Sequence, residues 1–280
     1  MLTATLLALA AAALHATWNL LIKTSGDRIL ASWGQFVFGA MLFIPVVVAI
    51  GWPERSAWPF LGASALIHVL YIEGLAKAYQ HGEFSLAYPL ARGGGAMIAA
   101  IGGTLFLHDQ LGVWAWIALI VVAIGLGSMV RLSAGRKALG WASATGVVIG
   151  IYSTVDAAGS QRSSNGFAYG VALTMCSAVV LSIWCVALGR GPAFLATVRT
   201  EWSRYAVAGV ALTAAYSLVL VAVRIEGVDA GYVFTLRESS VVLGALAGWL
   251  LLKESMGRTR LLSSVVVLAG MIGLVLTKGA

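Results

Sequence analysis

Apolar stretches of about twenty residues follow one another along almost the whole chain, and the links between them are too short to hold a domain of their own. A membrane-spanning helix needs about 20 mainly apolar residues. In hydrocarbon, only helices and closed barrels satisfy their own backbone polar groups. The pattern predicts helices over Leu2–Ile22, Leu30–Ile50, Ala57–Tyr79, Phe84–Leu107, Leu111–Val130, Leu139–Gly159, Phe167–Leu188, Ser203–Val223, Ala230–Leu252 and Arg258–Thr277. Charged residues are only 10% of the chain, against about 25% in ordinary globular domains. The expectation is an all-α integral membrane protein with ten transmembrane helices. The formal charge of +7 comes without a basic stripe or tail, so it argues for topology and anionic headgroups rather than nucleic acid.

The first run has no basic segment before it and continues beyond a signal-peptide core, so it reads as a first spanning helix. Cys176 and Cys185 share one predicted helix. Nine helical residues separate them by roughly 13 Å, beyond disulfide reach, and they read as buried apolar side chains.

The two halves resemble each other. Phe106-Leu107-His108-Asp109-Gln110-Leu111-Gly112 aligns with Leu251-Leu252-Lys253-Glu254-Ser255-Met256-Gly257 at an offset of 145. Tyr71 then falls on Tyr216, Gly82 on Gly227, Arg92 on Arg237 and Gly125 on Gly270. The first helices align at an offset of 137, which sets His15-Ala16-Thr17-Trp18-Asn19 over Tyr152-Ser153-Thr154-Val155-Asp156. Five helices per half is an odd number, so the second half enters the membrane with opposite orientation. Two inverted five-helix repeats, residues 1–132 and 138–280, around a central cavity near the midplane are a transporter arrangement. Lysines and arginines concentrate in the loops after odd-numbered helices, which predicts both termini outside. Gly125 and Gly270 fit either dimer contacts or internal packing, so a monomer and a homodimer both stand open.

Arg92 and Arg237 lie inside predicted spans, where a charge costs about 2.5 kcal/mol or more and faces protein or water. Their planar forks suit a carboxylate, phosphonate or phosphate. Glu73, Asp156 and Glu238 are the acids at comparable depth. Glu73 and Arg92 flank the Gly82 turn almost evenly, which allows an ion pair, although Lys77 is a competing i+4 partner. Glu238 follows Arg237 and points about 100° away around a continuous helix. If both arginines pair, one acid is left over as a neutral group or a proton or cation carrier. Asp156, Glu238 and Glu73 are therefore the candidates for gating or proton coupling.

His15 with Asn19 and Tyr152 with Asp156 are i, i+4 pairs that place a polar cluster in each half. With Trp18, Tyr88, Arg92 and Arg237 they form the expected substrate-binding set. Interhelical hydrogen bonding is the other reading for Asn19. His68 reads more as packing than as cavity lining, and His81 as a solvated turn residue. The four histidines have no metal-ligand spacing, and the sequence has no P-loop, GxSxG or CxxC. No metal, cofactor or catalytic residue is expected. Gly93-Gly94-Gly95 serves close helix packing, since no Lys-Ser/Thr follows it to cradle a phosphate.

Taken together, Phe-Leu-His-Asp and Leu-Leu-Lys-Glu at the ends of the fourth and ninth helices resemble the EamA-type drug/metabolite transporter superfamily. Its halves usually end that helix in Leu-Gly-Glu-Arg. His15 to Lys23, Tyr88-Pro89-Leu90-Ala91-Arg92-Gly93 and Leu236-Arg237-Glu238-Ser239-Ser240-Val241 are similar to a bacterial branch, some members of which are associated with phosphonate use. The resemblance implies a multi-pass protein of the bacterial inner membrane, not an enzyme. It would be a secondary exporter or facilitator that moves a small polar metabolite by alternating access without ATP. An amino acid, a phosphonate or a related anionic or zwitterionic compound is the implied cargo. Trp18-Asn19 stands where the broader family often has Trp-Gly. A flippase for lipid or lipid-linked carriers and a non-transporting membrane protein are the alternatives.

Overall fold

A computed structural model describes residues 1–81, 84–128, 135–252 and 258–279. These residues are almost entirely helical, with no strand among them. In chain order the helices are α1 (Leu2–Lys23), α2 (Arg28–Ile50), α3 (Trp58–His81), α4 (Phe84–Phe106), α5 (Val113–Ser128), α6 (Arg136–Gln161), α7 (Gly166–Ala187), α8 (Gly191–Val223), α9 (Ala230–Arg237), α10 (Ser239–Leu252) and α11 (Arg258–Gly279). Among the described residues, six segments are long and apolar enough to cross a membrane: Leu2–Ile22, Arg28–Ile50, Arg55–Ala78, Arg136–Gln161, Gly166–Ala187 and Gly191–Val223. Leu6, Leu66, Ile183 and Ile272 are each more than half exposed, an outer surface suited to lipid.

Three helices differ from expectation by more than two residues at an end or by a break. The eighth helix begins at Gly191 rather than Ser203. Its first turns are too polar to read as a span, but Pro192 suits a helix start, and Phe194 is buried in a stack 3.9 Å from Trp33. The sixth helix reaches Arg136 and Gln161, past both predicted ends. The ninth is two helices, α9 and α10, meeting at Glu238. There the Glu238 amide bonds back to Thr235 O at 2.9 Å, and Val241 N bonds to Glu238 O at 2.9 Å, so the regular i→i−4 ladder is interrupted. Gly82, Arg131, Val130 and the 253–257 link lie outside the described residues, as do the side chains of Tyr88 and Pro89 within α4.

Short loops are held by side chains bonded to the backbone. Asp27 caps α2 by accepting from Ile29 N and Leu30 N, and Asn165 caps α7 in the same way through Phe167 N and Ala168 N. Asp27 also pairs with Arg190. At the opposite end, which carries the chain termini, Ser164 N donates to Glu54 at 2.7 Å. Hydrogen bonds from the Ser164 side chain and backbone bring the Glu54 carboxyl down to about 2. At the same end two loops clasp each other. Gly231 N donates to Asp109 Oδ2 at 3.1 Å, and Gln110 N donates to Asp229 Oδ1 at 2.9 Å.

Glycines set the closest helix approaches. A Cβ on Gly270 would lie 3.0 Å from Val122 N, and one on Gly125 would lie 3.0 Å from Val267 N. Both glycines are therefore used in the chain's own packing of α5 on α11. Gly39 and Gly209 face each other where α2 crosses α8, and a Cβ on Gly209 would stand 2.5 Å from both Gln35 O and Gly39 N. A backbone cannot swing aside as a flexible side chain can. Gly209→Val is expected to destabilise the protein by at least about 1–3 kcal/mol, read as a lower thermal midpoint in detergent. Gly26→Ala, where a Cβ meets nothing within 4 Å, should leave that midpoint unchanged.

Candidate functional site

At the centre lies a cavity walled by α1, α2 and α3 on one side and α6, α7 and α8 on the other. It runs from Arg28 and Ile29, in the first turn of α2, down to Tyr152, Thr174 and Tyr216. Its volume of about 80 Å³ has room for several waters. His15, Trp18, Asn19 and Tyr152, all named from the sequence, line it.

On α1, Trp18 Nε1 donates to His15 Nδ1 at 3.3 Å, and Asn19 Nδ2 donates to His15 O at 2.7 Å. An indole N–H can only donate, so His15 Nδ1 accepts, and the neutral ring carries its proton on Nε2. That Nε2 is buried and meets no acceptor among the described residues. On α3 the pattern is reversed. His68 Nδ1 lies 2.8 Å from Ser64 O. A carbonyl can only accept, so the hydrogen is on Nδ1 and Nε2 keeps a lone pair. The His68 ring stacks on Tyr152 with centroids 4.5 Å apart and stands edge-on to Tyr71 and Tyr216.

Behind this wall sits a buried charge cluster. Arg92 Nε donates to Glu238 Oε2 at 2.8 Å, and Arg92 Nη2 donates to Glu238 Oε1 at 2.7 Å. Arg237 Nη2 lies 3.5 Å from the same Oε1. All three side chains are 2% exposed or less. The fork on Arg92 is a full bidentate pair, whereas Arg237 makes a single longer contact. Its Nε and Nη1 are buried without a hydrogen-bond partner among the described residues. The Arg237 guanidinium faces aromatic rings instead, 5.2 Å from Phe234 and 6.0 Å from Tyr216.

Of the two partners open to Glu73, the lysine on its own helix is the one it meets. Glu73 bonds Lys77 at 2.8 Å on a half-exposed face of α3. An i+4 partner on the same helix needs no match in rotation, whereas equal depth in a hairpin does not bring two side chains face to face. The break at Glu238 likewise overturns the expectation that Arg237 and Glu238 point apart, since both reach one centre. Tyr88 belongs to α4, but its side chain is outside the described residues.

Asp156 lies fully buried beside the cavity rather than on its wall. Tyr216 Oη donates to its Oδ2 at 2.5 Å and Tyr169 Oη to its Oδ1 at 3.4 Å, with Ser64 also in hydrogen-bond reach. Hydroxyls alone hold this carboxyl; among the described residues no arginine or lysine is in ion-pair contact with it. Gln35, His68, Tyr71 and Tyr216 complete the cavity wall and were not among the expected binding residues. Tyr71 and Tyr216 carried a signal, because they occupy matching positions in the two halves.

Comparison with known proteins adds three findings. The sequence profile described as the EamA-like transporter family matches residues 136–276. A solved crystal structure overlays with a TM-score of 0.76 at 15% sequence identity, covering 98% of this chain and 97% of that one, which establishes a shared fold. No curated protein matches in sequence.

Removing one member of a buried ion pair leaves its partner uncompensated, at a cost of about 3–5 kcal/mol. Arg92→Gln is expected to lose on that order of stability. Arg237→Gln, which gives up a single 3.5 Å contact, should lose markedly less. Thermal unfolding of the two purified variants in the same detergent checks the order.

Proposed function

This chain belongs to the EamA-like transporter family, a family of membrane transporters rather than enzymes, and on that footing we propose that it carries a small anionic or zwitterionic metabolite across the bacterial inner membrane. The architecture proposed is ten spans in two inverted five-helix repeats, residues 1–132 and 138–280, working by alternating access. Helix pairing supports the repeat. α3 packs on α6 as α8 packs on α1, and α2 packs on α8 as α7 packs on α3. α5 packs on α11, its own counterpart. Each contact thus has a partner in which the halves exchange roles.

The observation that carries the substrate class is the surplus of donors behind the cavity. Two buried arginines meet one glutamate, and Nε and Nη1 of Arg237 have no hydrogen-bond partner among the described residues. His15, on the cavity wall, offers a further donor at Nε2 within electrostatic reach of both arginines. Unmet buried donors are costly, and a carboxylate or phosphonate oxygen would accept from Nε or Nη1 of Arg237, on either side of the Nη2 that Glu238 holds. The interrupted helix α9–α10 at this point matches the way transporters expose polar backbone beside a site. Asp156, hydrogen-bonded to a cavity-lining tyrosine, is the proposed coupling acid, and Glu238 holds Arg92 in place. Glu73, tied to Lys77 away from this centre, has no place in the site.

The test is a thermal-shift screen of the purified protein against amino acids, phosphonates, organic acids and amines. A ligand at 100 times its Kd stabilises by about 2.7 kcal/mol. Anionic or zwitterionic compounds should give the shift in the parent and lose it in Arg237→Gln. A response confined to amines without an acidic group, or one that survives in Arg237→Gln, would overturn the assignment.

A further inference from the structure

We propose that this site binds a proton together with its anion: the proton at Asp156 and the anion at Arg237, joined by Tyr216 between them. The inference rests on the anion-binding reading above and adds the coupling and its sign.

Tyr216 is the structural link. Its hydroxyl donates to Asp156 Oδ2 at 2.5 Å, while its ring stands 6.0 Å from the Arg237 guanidinium and lines the cavity. Asp156 is fully buried and does not itself line the cavity. Proton exchange with the cavity therefore passes through that hydroxyl.

The charges around Asp156 can be counted element by element. Tyr152 lies on its own helix, Ser64 and His68 come from α3, Tyr169 from α7 and Tyr216 from α8. Arg237 and Glu238 come from the α9–α10 break, Arg92 from α4, and His15 from α1 stands near both arginines. Among the described residues, two arginines and two carboxylates balance when Asp156 is ionised. With Asp156 protonated, the group holds one uncompensated positive charge in a medium that screens it weakly. That form calls for an anion, and Arg237, whose Nε and Nη1 have no hydrogen-bond partner among the described residues, is the cation to receive it. Linkage makes the effect reciprocal: a bound anion draws a proton onto Asp156 by the same factor. An anion and a proton bound together move as one neutral cargo, so transport built on this site is proton–anion symport.

The full-length protein in weakly buffered detergent, with a pH dye, reads the coupling directly. The probes are acetate, methylphosphonate and methanesulfonate; the last keeps a constant charge across the mildly acidic to mildly alkaline range. Binding is followed by calorimetry. The parent should take up protons on binding, approaching one per anion, and its affinity for methanesulfonate should fall as pH rises, by up to about tenfold per unit. Asp156→Asn, an isosteric neutral side chain, should bind methanesulfonate at least as tightly, with no proton uptake and no pH dependence. His15→Gln, if it binds, should keep the uptake. Failure of all three anions to bind the parent overturns the anion reading and this inference together. Binding without proton uptake, or with pH-independent affinity in the parent, overturns the coupling alone. Methanesulfonate-linked uptake that persists in Asp156→Asn overturns Asp156 as the proton site.

Discussion

The bidentate bond between Arg92 and Glu238 is the constraint on which the centre of this molecule depends. It joins α4 to the point where α9 gives way to α10, and both partners are almost wholly buried. Burying such a pair adds little net stability, because the attraction has to offset the loss of water around both ions. Its force lies in the penalty for any arrangement that separates them. That penalty fixes the rotation of α4, the position of the helix break and the placement of Arg237 beside it. The cavity wall follows from this centre, since Tyr216 is set by Arg237 on one side and Asp156 on the other.

Around the ion pair, packing relies on small residues. Where α2 meets α8, facing glycines bring two backbones together without room for a single extra carbon, and where α5 meets α11, Gly125 and Gly270 each admit a valine of the other helix at close range. Lipid supplies no hydrophobic drive between helices, so close contact of this kind does the holding. Apolar side chains that a soluble protein would bury point outward instead.

Much of this was legible in the amino-acid sequence. Runs of apolar residues located the helices, and matching residues in the two halves singled out Arg92, Arg237, Tyr71 and Tyr216. His15, Trp18, Asn19 and Tyr152 were expected at the cavity and line it. Depth could be counted from a turn, but rotation could not, so an Arg92–Glu73 pair stood open beside the Lys77 partner that Glu73 takes. The helix break was hidden for a related reason. No glycine or proline stands between positions 232 and 243, and local propensity gives no sign of an interruption whose setting is tertiary. The start of α8 was missed because a polar helical turn outside the apolar run resembles a loop until its buried aromatic face is seen.

The clasp between Asp109 and Asp229 also bears on motion. Each carboxylate holds a backbone amide of the opposite loop, so the closure does not rely on any one pair of side chains meeting. Hydrogen bonds to a charged acceptor contribute about 1.5–3 kcal/mol each, and opening this end means giving up both. A difference of roughly 3 kcal/mol or more leaves the opened form below about 1% of molecules at rest. This end of the molecule therefore stays shut unless two loops let go of each other's main chain together.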